Sequence, residues 1–476
     1  MRLTRSKYIN LAIAMVIFAV IKLFLPLEYG LTAEGRSFIA VLLAMVYMWI
    51  TVDMFVSSII AMVLMGLTQP VSSASLFAGS FGSASLAILL FANLLIGAVG
   101  ACGAIDKITK WFISRRIIAG HPFNFFLLFG TACFVLSAAI SATYTILAVI
   151  PIAAAICESI SYERGSEFFA STMLFAMWSC ISGGIAFPFG KILYITLLGA
   201  MDGFGLTATF ADVFVPALIV GVLWFFCGLA MVKFVLKPDV SGFSKYDPDE
   251  IRREMREHPL GTQGKILLAG FGLMIVLWIL TSFSKQFAFA AFLNKIGYHI
   301  ISAAIFAVLC VFPVDGKPVI DIKKTWASYN WSIFSFGAML LFCTAGVSNS
   351  AFGIKEYLVA VLGPIFEGVP VMGIYVLGVL VAAIVTNFTS NNVTLAVVIT
   401  AFVPMLTAAG VDAALLFKFC FACSFAAGMA CATPAGCPAA ALILDGHNAT
   451  MKVSVLPNCI MVVIGAALSL GVMALF

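Results

Sequence analysis

The residues able to do chemistry in this chain are one lysine and two clusters of small polar side chains, all set in apolar surroundings. Lys191 follows the break Gly183-Gly184-Ile185-Ala186-Phe187-Pro188-Phe189-Gly190 in a sequence that is 63% hydrophobic. An ammonium at membrane depth is costly, so by default it marks an ion or substrate site. Its Gly and Pro neighbours imply unwound backbone, tolerated there only beside protein or a wet cavity. The competing reading is a lysine that snorkels to a headgroup or pairs with a carboxylate. One polar cluster spans Ser137, Ser141, Thr143 and Thr145, and the other spans Thr386, Thr389, Ser390, Asn391, Asn392 and Thr394. Such side chains cap helix ends and supply neutral oxygen ligands without a permanent buried charge. At the tip of a re-entrant hairpin, the descending helix offers carbonyls to a cation and the returning helix offers N–H groups to an anion. Ordinary hydrogen-bonded helix packing would use the same residues. Both clusters, however, are followed by a Gly/Pro-broken segment, at residues 183–191 and 428–438.

The elements that must hold these groups are membrane helices. A mean hydropathy of +1.14 with 10% charged residues lies outside the soluble range, and many windows exceed the ~18 apolar residues of a spanning helix. The expectation is an all-α polytopic membrane protein. The net charge of +5 follows the short loops and carries no nucleic-acid signature. The stretch 9–27 follows Arg2, Arg5 and Lys7 without a small-residue cleavage site, and reads as a retained span. Spans at 37–51, 54–68 and 84–103 lead to a basic amphipathic stretch with Lys107, Lys110, Arg115 and Arg116. Residues 123–157 read as two half-length helices meeting at a polar tip, 167–200 as a broken helix and 211–236 as a span. A charged linker follows at 237–263. Beyond it come spans at 264–284, 296–313 and 332–350, an interfacial stretch with Lys355 and Glu356, and a hairpin at 371–404. A broken helix at 414–443 and a last span at 454–475 end the chain. The total is about eleven transmembrane helices plus two re-entrant hairpins. Asp53 reads as a carboxylate at the start of the third span, and Lys418 as a snorkelling residue. The cysteines, including Cys420 and Cys423, read as small apolar packing rather than metal or disulfide chemistry.

With the N-terminus in the cytoplasm and the C-terminus outside, 18 of the 26 Lys and Arg fall on the cytoplasmic side and 6 outside. The first hairpin then enters from the cytoplasm and the second from the opposite side, the geometry of an inverted-topology repeat of 1–236 and 264–476. Ser141 and Ser390 align at an offset of 249, and Ser137 falls on Thr386. Leu94-Leu95, Gly100 and Ile108 align with Leu340-Leu341, Gly346 and Ile354 at 246, but the polar matches carry more weight in an apolar chain. The expected location is the inner membrane of a bacterium.

At these residues the chain resembles the divalent anion/sodium symporters, the dicarboxylate, citrate and sulfate carriers of the ion transporter superfamily. Thr386-Asn-Phe-Thr389-Ser390-Asn391-Asn392 is similar to their Ser-Asn-Thr hairpin motif, Ala432-Thr433-Pro434 to the start of their Thr-Pro-Pro-Asn motif, and Trp49-Ile50-Thr51 to the beginning of their third span. The resemblance implies that Ser390, Asn391, Asn392, Thr433 and Pro434 face a small anionic substrate, opposite Ser141, Ala142 and Thr143. It implies a sodium ion held by Thr386, Thr389, Asn391 and the backbone near Ala432, and a first-half counterpart at Ser137, Ser141 and Gly190. It further implies an elevator-like movement of the hairpin-bearing bundle against the other spans, and a homodimer. No organic cofactor is expected.

The chain departs from that pattern at Ser141-Ala142-Thr143, where the motif's Asn is missing, and at Lys191 on the facing wall. Either the ammonium replaces the first sodium ion, or it enters the pocket as a direct partner for carboxylate or sulfate. Asn392 in place of Thr, and Ala435-Gly436 after Pro434, suggest a pocket of altered size. The leading function is secondary active transport of a small divalent anion, with a di- or tricarboxylate favoured over sulfate and sodium coupling through the second site. A sodium-independent exchanger of the same fold is the alternative. An enzyme is not expected, since neither His-Glu-x-x-His nor Gly-x-Ser-x-Gly occurs, nor is a built-in ATPase, since no phosphate-binding Gly-x-x-x-x-Gly-Lys-Ser/Thr occurs. A channel would need a continuous pore rather than two dead-end hairpins.

Overall fold

The computed structural model describes residues 5–68, 72–82, 84–187, 191–206, 208, 210–281, 283–284, 286–329, 331–347, 349–444, 448–449 and 451–476. The first half holds α1 (Arg5–Phe24), α2 (Ala33–Thr51), α3 (Met54–Thr68), α4 (Ser73–Ser80), α5 (Ala84–Ala101) and α6 (Ala104–Ile113). These lead to α7 (Pro122–Ala139), α8 (Ala142–Ser159), α9 (Glu167–Ala186), α10 (Ile192–Gly203) and α11 (Phe210–Ala230). After the linker helix α12 (Pro248–Glu257) come α13 (Thr262–Thr281), α14 (Ala288–Val311), α15 (Ile322–Ser328), α16 (Trp331–Val347) and α17 (Ile354–Leu362). The chain finishes with α18 (Val371–Val385), α19 (Asn391–Ala408), α20 (Ala413–Gly428), α21 (Pro438–Ile443) and α22 (Met451–Leu475). The protein is an all-α polytopic membrane protein. Among the described residues, ten helices are long and apolar enough to cross a membrane, or up to twelve if each bent pair counts as one.

The helix starts follow capping chemistry. Thr32 accepts from the Gly35 N–H, Ser166 from Phe169 and Asp412 from Leu415, and the Asp53 carboxylate takes the Phe55 and Val56 N–H groups at 2.8 and 2.9 Å. Asp53 is thus the helix-terminal carboxylate expected from its position. The expected half-length arms are longer, since α7, α8 and α19 each run 18 residues, about 27 Å at 1.5 Å per residue. Pro122 stands at the start of α7, and α8 carries Pro151 within it and still runs on to Ser159. The elements α4, α15 and a short β-hairpin (Pro313–Val314 with Lys317–Pro318) had no clear signal in the apolar pattern.

Three main buried cores hold the helices together, with two small clusters besides. The largest buried core joins α7 to α11 with α18 to α22, while α5, α13 and α14 share a second core and α2, α3 and α16 a third. Packing partners recur between the halves: α2 lies on α3 and α13 on α14, α7 and α8 lie on α9, and α18 and α19 lie on α20. The short helices after the breaks cross over. Helix α10 packs against α19 and α20, and α21 against α8 and α9.

The linker is more ordered than a charged loop. Asp247 and Pro248 start α12, and the buried rings of Phe243 and Tyr246 pack on Phe125 at 5.4 and 5.7 Å. The Tyr246 hydroxyl donates to the Ile113 carbonyl at 2.7 Å, and Lys110 meets Glu254 at 2.7 Å, so the linker is fastened to α6. Gly103, with φ of 81°, sets the bend between α5 and α6, whose axes differ by 60°.

Gly183 permits the closest approach of α9 to α7. A Cβ there would lie 2.0 Å from the Phe134 carbonyl oxygen, which is backbone and cannot rotate away. Gly183→Ala is therefore expected to destabilise the bundle by about 1–3 kcal/mol or more through overpacking. Thermal unfolding in detergent checks this, and an unchanged midpoint would show that the two helices separate freely.

Candidate functional site

Both hairpins turn at the predicted positions. Helix α7 ends at Ala139 and α8 begins at Ala142, with Ser141 in the N-cap position; α18 ends at Val385 and α19 begins at Asn391, with Ser390 in the N-cap position. Neither serine side chain caps its own helix. The first-turn N–H groups of α8 and α19 therefore lack the usual side-chain acceptor, which suits a negatively charged group.

In the second half, the Thr386 hydroxyl lies 2.8 Å from the Ala427 carbonyl at the end of α20 and 3.0 Å from the Asn391 Oδ1. A hydroxyl has one proton and can serve only one of these acceptors. Three neutral oxygens thus converge, and the nearby Thr389 Oγ1 and Asn392 Oδ1 are buried without a hydrogen-bond partner among the described residues. Neutral oxygens at a helix C-terminus are the donor set of a hard monovalent cation. The Ala432 N–H donates to the Asn387 Oδ1 at 2.8 Å. The carbonyl that meets Thr386 belongs to Ala427, five residues earlier. Thr433 donates its hydroxyl proton to the Asn387 carbonyl and accepts the Ala435 N–H at 3.2 Å, while Pro434 is exposed.

The first half repeats part of this arrangement. The buried Ser137 hydroxyl donates to the Cys180 carbonyl on α9, as Thr386 does to Ala427 on α20. Position 142 is alanine, so the oxygen that Asn391 brings to the second site is missing here. In its place stands Lys191, in the N-cap position of α10, whose Nζ donates to the Ser137 carbonyl at 2.7 Å and the Ile140 carbonyl at 3.4 Å. These carbonyls belong to the last turn of α7 and its cap, the negative end of that helix. The half-buried ammonium makes no ion pair with a carboxylate among the described residues. Gly190 lies outside the described residues. Ala142 and Thr143 form the first turn of α8, half-buried beside Ser141.

The structure thus draws Ser137 and Lys191 together at one tip, and Thr386, Asn391, Thr433 and the break after α20 together at the other. The carbonyls of Cys180, Ile140 and Ala427 were not singled out from sequence, because a carbonyl carries no side-chain signature. Asn387 was missed too, although it lies within the hairpin motif. A cavity of about 470 Å³ opens elsewhere, between Gly205, Asp212, Pro216, Phe417, Lys418 and Met473. None of the predicted binding residues lines it.

A model of the citrate transporter family matches residues 40–417, from α2 into α20, including both hairpin tips and Lys191. No curated protein matches the chain.

Proposed function

From the premise that this chain belongs to the citrate transporter family, and is thereby a membrane-embedded secondary transporter of citrate-like anions, we propose that it carries a di- or tricarboxylate across a bacterial inner membrane. One sodium ion is coupled through Thr386, Thr389, Asn391 and the Ala427 carbonyl, and the Lys191 ammonium stands where a first sodium would bind. The observation that carries this reading is the Lys191 Nζ on the carbonyls of Ser137 and Ile140. A cation coordinates the end of a helix through its carbonyl oxygens, and here a tethered cation does the same.

The substrate wall is then formed by Ser141, Ala142 and Thr143 from one side and Ser390, Asn391, Asn392, Thr433 and Pro434 from the other. Small polar groups with free N–H donors hold carboxylates, and the adjoining cations lower the cost of bringing a multiply charged anion to membrane depth. The recurring helix contacts in the two halves support an inverted duplication. An elevator-like movement of the hairpin-bearing bundle against the other spans is what the motif resemblance supports, and it would have to slide the hairpin residues Leu136, Ile140, Val393 and Ala396 along the two smaller cores they share with the scaffold. The distribution of Lys and Arg supports a cytoplasmic N-terminus and an external C-terminus. The motif resemblance supports a homodimer.

A sodium-independent anion exchanger is the second reading, favoured by the same lysine, since a cation that cannot leave contributes nothing to coupling. Uptake of radiolabelled citrate, succinate and sulfate into proteoliposomes separates the two. Symport is expected to give concentrative uptake driven by an inward sodium gradient. Uptake that needs internal substrate and ignores sodium would establish exchange, and flux with neither dependence would indicate a channel.

A further inference from the structure

Asn387 ties the second hairpin tip to the break after α20 through two hydrogen bonds, is held by a third to its own helix α18, and is only 3% exposed. Its Nδ2 donates to the Ala383 carbonyl at 2.7 Å, its Oδ1 accepts the Ala432 N–H at 2.8 Å, and its backbone carbonyl accepts the Thr433 hydroxyl. The residue before it, Thr386, is the meeting point of the three converging oxygens. We propose that Asn387 is the positioning residue that transmits occupation of the cation site to the anion wall at residues 432–434. The inference rests on the reading of the second tip as a cation and citrate site.

The physical argument is one of connectivity. Residues 429–437 between α20 and α21 form no helix, so their position is set by side-chain and cap contacts rather than by a backbone ladder. A cation drawing Thr386, Asn391 and the Ala427 carbonyl together fixes the tip and the end of α20. Among the hydrogen bonds of the described residues, those of the Thr386 hydroxyl run to Asn391 and Ala427, and those of the Ala432 N–H and the Thr433 hydroxyl run to Asn387. Asn387 spans that gap, with its two amide atoms facing opposite partners. The carboxamide orientation follows from the partners, since the Ala383 carbonyl needs a donor and the Ala432 N–H an acceptor. At the matching place in the first tip stands Ala138, which cannot make such a bridge, and there Lys191 links break to tip instead. A cation effect on citrate affinity is a coupling free energy, and it needs a physical element that both ligands bias.

The test uses the full-length carrier in proteoliposomes, with Asn387→Leu and, should that variant fold poorly, Asn387→Ala, which removes the same two amide atoms with less bulk. Citrate KM, maximal rate and the sodium dependence of KM are measured, together with the sodium-induced shift of thermal midpoint in detergent. The expected result is a citrate KM raised about tenfold, as for loss of a site-orienting hydrogen bond, and no longer lowered by sodium. The maximal rate and the sodium-induced stabilisation persist. Reduced thermal stability and active fraction with unchanged KM and sodium dependence would overturn the proposal and leave Asn387 a structural knot. If the wild type itself ignores sodium, the coupled reading of the site fails, and the proposed transmission fails with it.

Discussion

Lys191→Met is expected to abolish concentrative citrate uptake while leaving a folded carrier. Methionine matches the stem of lysine but returns no charge, so the carbonyls of Ser137 and Ile140 lose their donor and the first site loses its cation. Truncating one partner of a buried charged contact costs about 2–5 kcal/mol, or roughly 30-fold to several-thousand-fold in anion affinity. Lys191→Arg is not a conservative replacement, because a planar guanidinium cannot sit as a compact point on a helix end. The variant that discriminates is the double change Ala142→Asn with Lys191→Gly, which restores the motif oxygen and empties the position of the ammonium. If Lys191 stands in for sodium, this carrier regains uptake and acquires a second sodium dependence, read as a steeper sodium activation curve. If Lys191 instead grips the substrate, the double variant stays inactive. Uptake by Lys191→Met equal to that of the wild type would defeat both placements.

Thr386→Val has the second largest expected effect. It removes the hydroxyl at which the Asn391 and Ala427 oxygens converge, without changing side-chain volume much. Loss of a charge-assisted contact of about 1.5–3 kcal/mol raises the half-saturating sodium concentration roughly 10- to 150-fold. Citrate binding at saturating sodium should recover, because the anion wall is untouched. Serine at the same position keeps the hydroxyl and should restore the sodium response, whereas a loss shared by serine and valine would point to packing. Sodium-independent uptake in the wild type would remove the premise and favour exchange.

Much of this architecture was legible in the sequence because membrane helices announce themselves by length and composition. The hairpin positions were readable from the clusters at 141 and 390, and the break after α20 from glycine and proline at 428–438, whereas Gly183 and Gly184 lie inside α9, which runs on to Ala186. What escaped were contacts made by groups common to every residue. Ala427 and Cys180 act through carbonyls, which no residue type marks, and the Ala432 N–H finds its acceptor in the Asn387 side chain. Asn387 had a readable side chain, but it sits between two threonines that drew the cation assignment. The order in the linker was accessible from Asp247-Pro248, a helix-start signal outweighed there by the charge of the segment. The length of the first hairpin's arms was not accessible, since apolar periodicity does not reveal how far a helix extends into the interface.

The crossing of α10 onto α19, and of α21 onto α8, bears on how the chain is made. During synthesis, residues 192–203 leave the ribosome long before residues 391–408 exist. A short, lysine-headed segment must therefore wait at the translocon without its eventual neighbour. Shielding it in the interval falls to lipid or to an insertase, and the first half on its own should be a substrate for membrane quality control. Assembly is committed only when the later hairpin arrives, so degradation of a truncated product ending at the linker should greatly outpace that of the whole carrier.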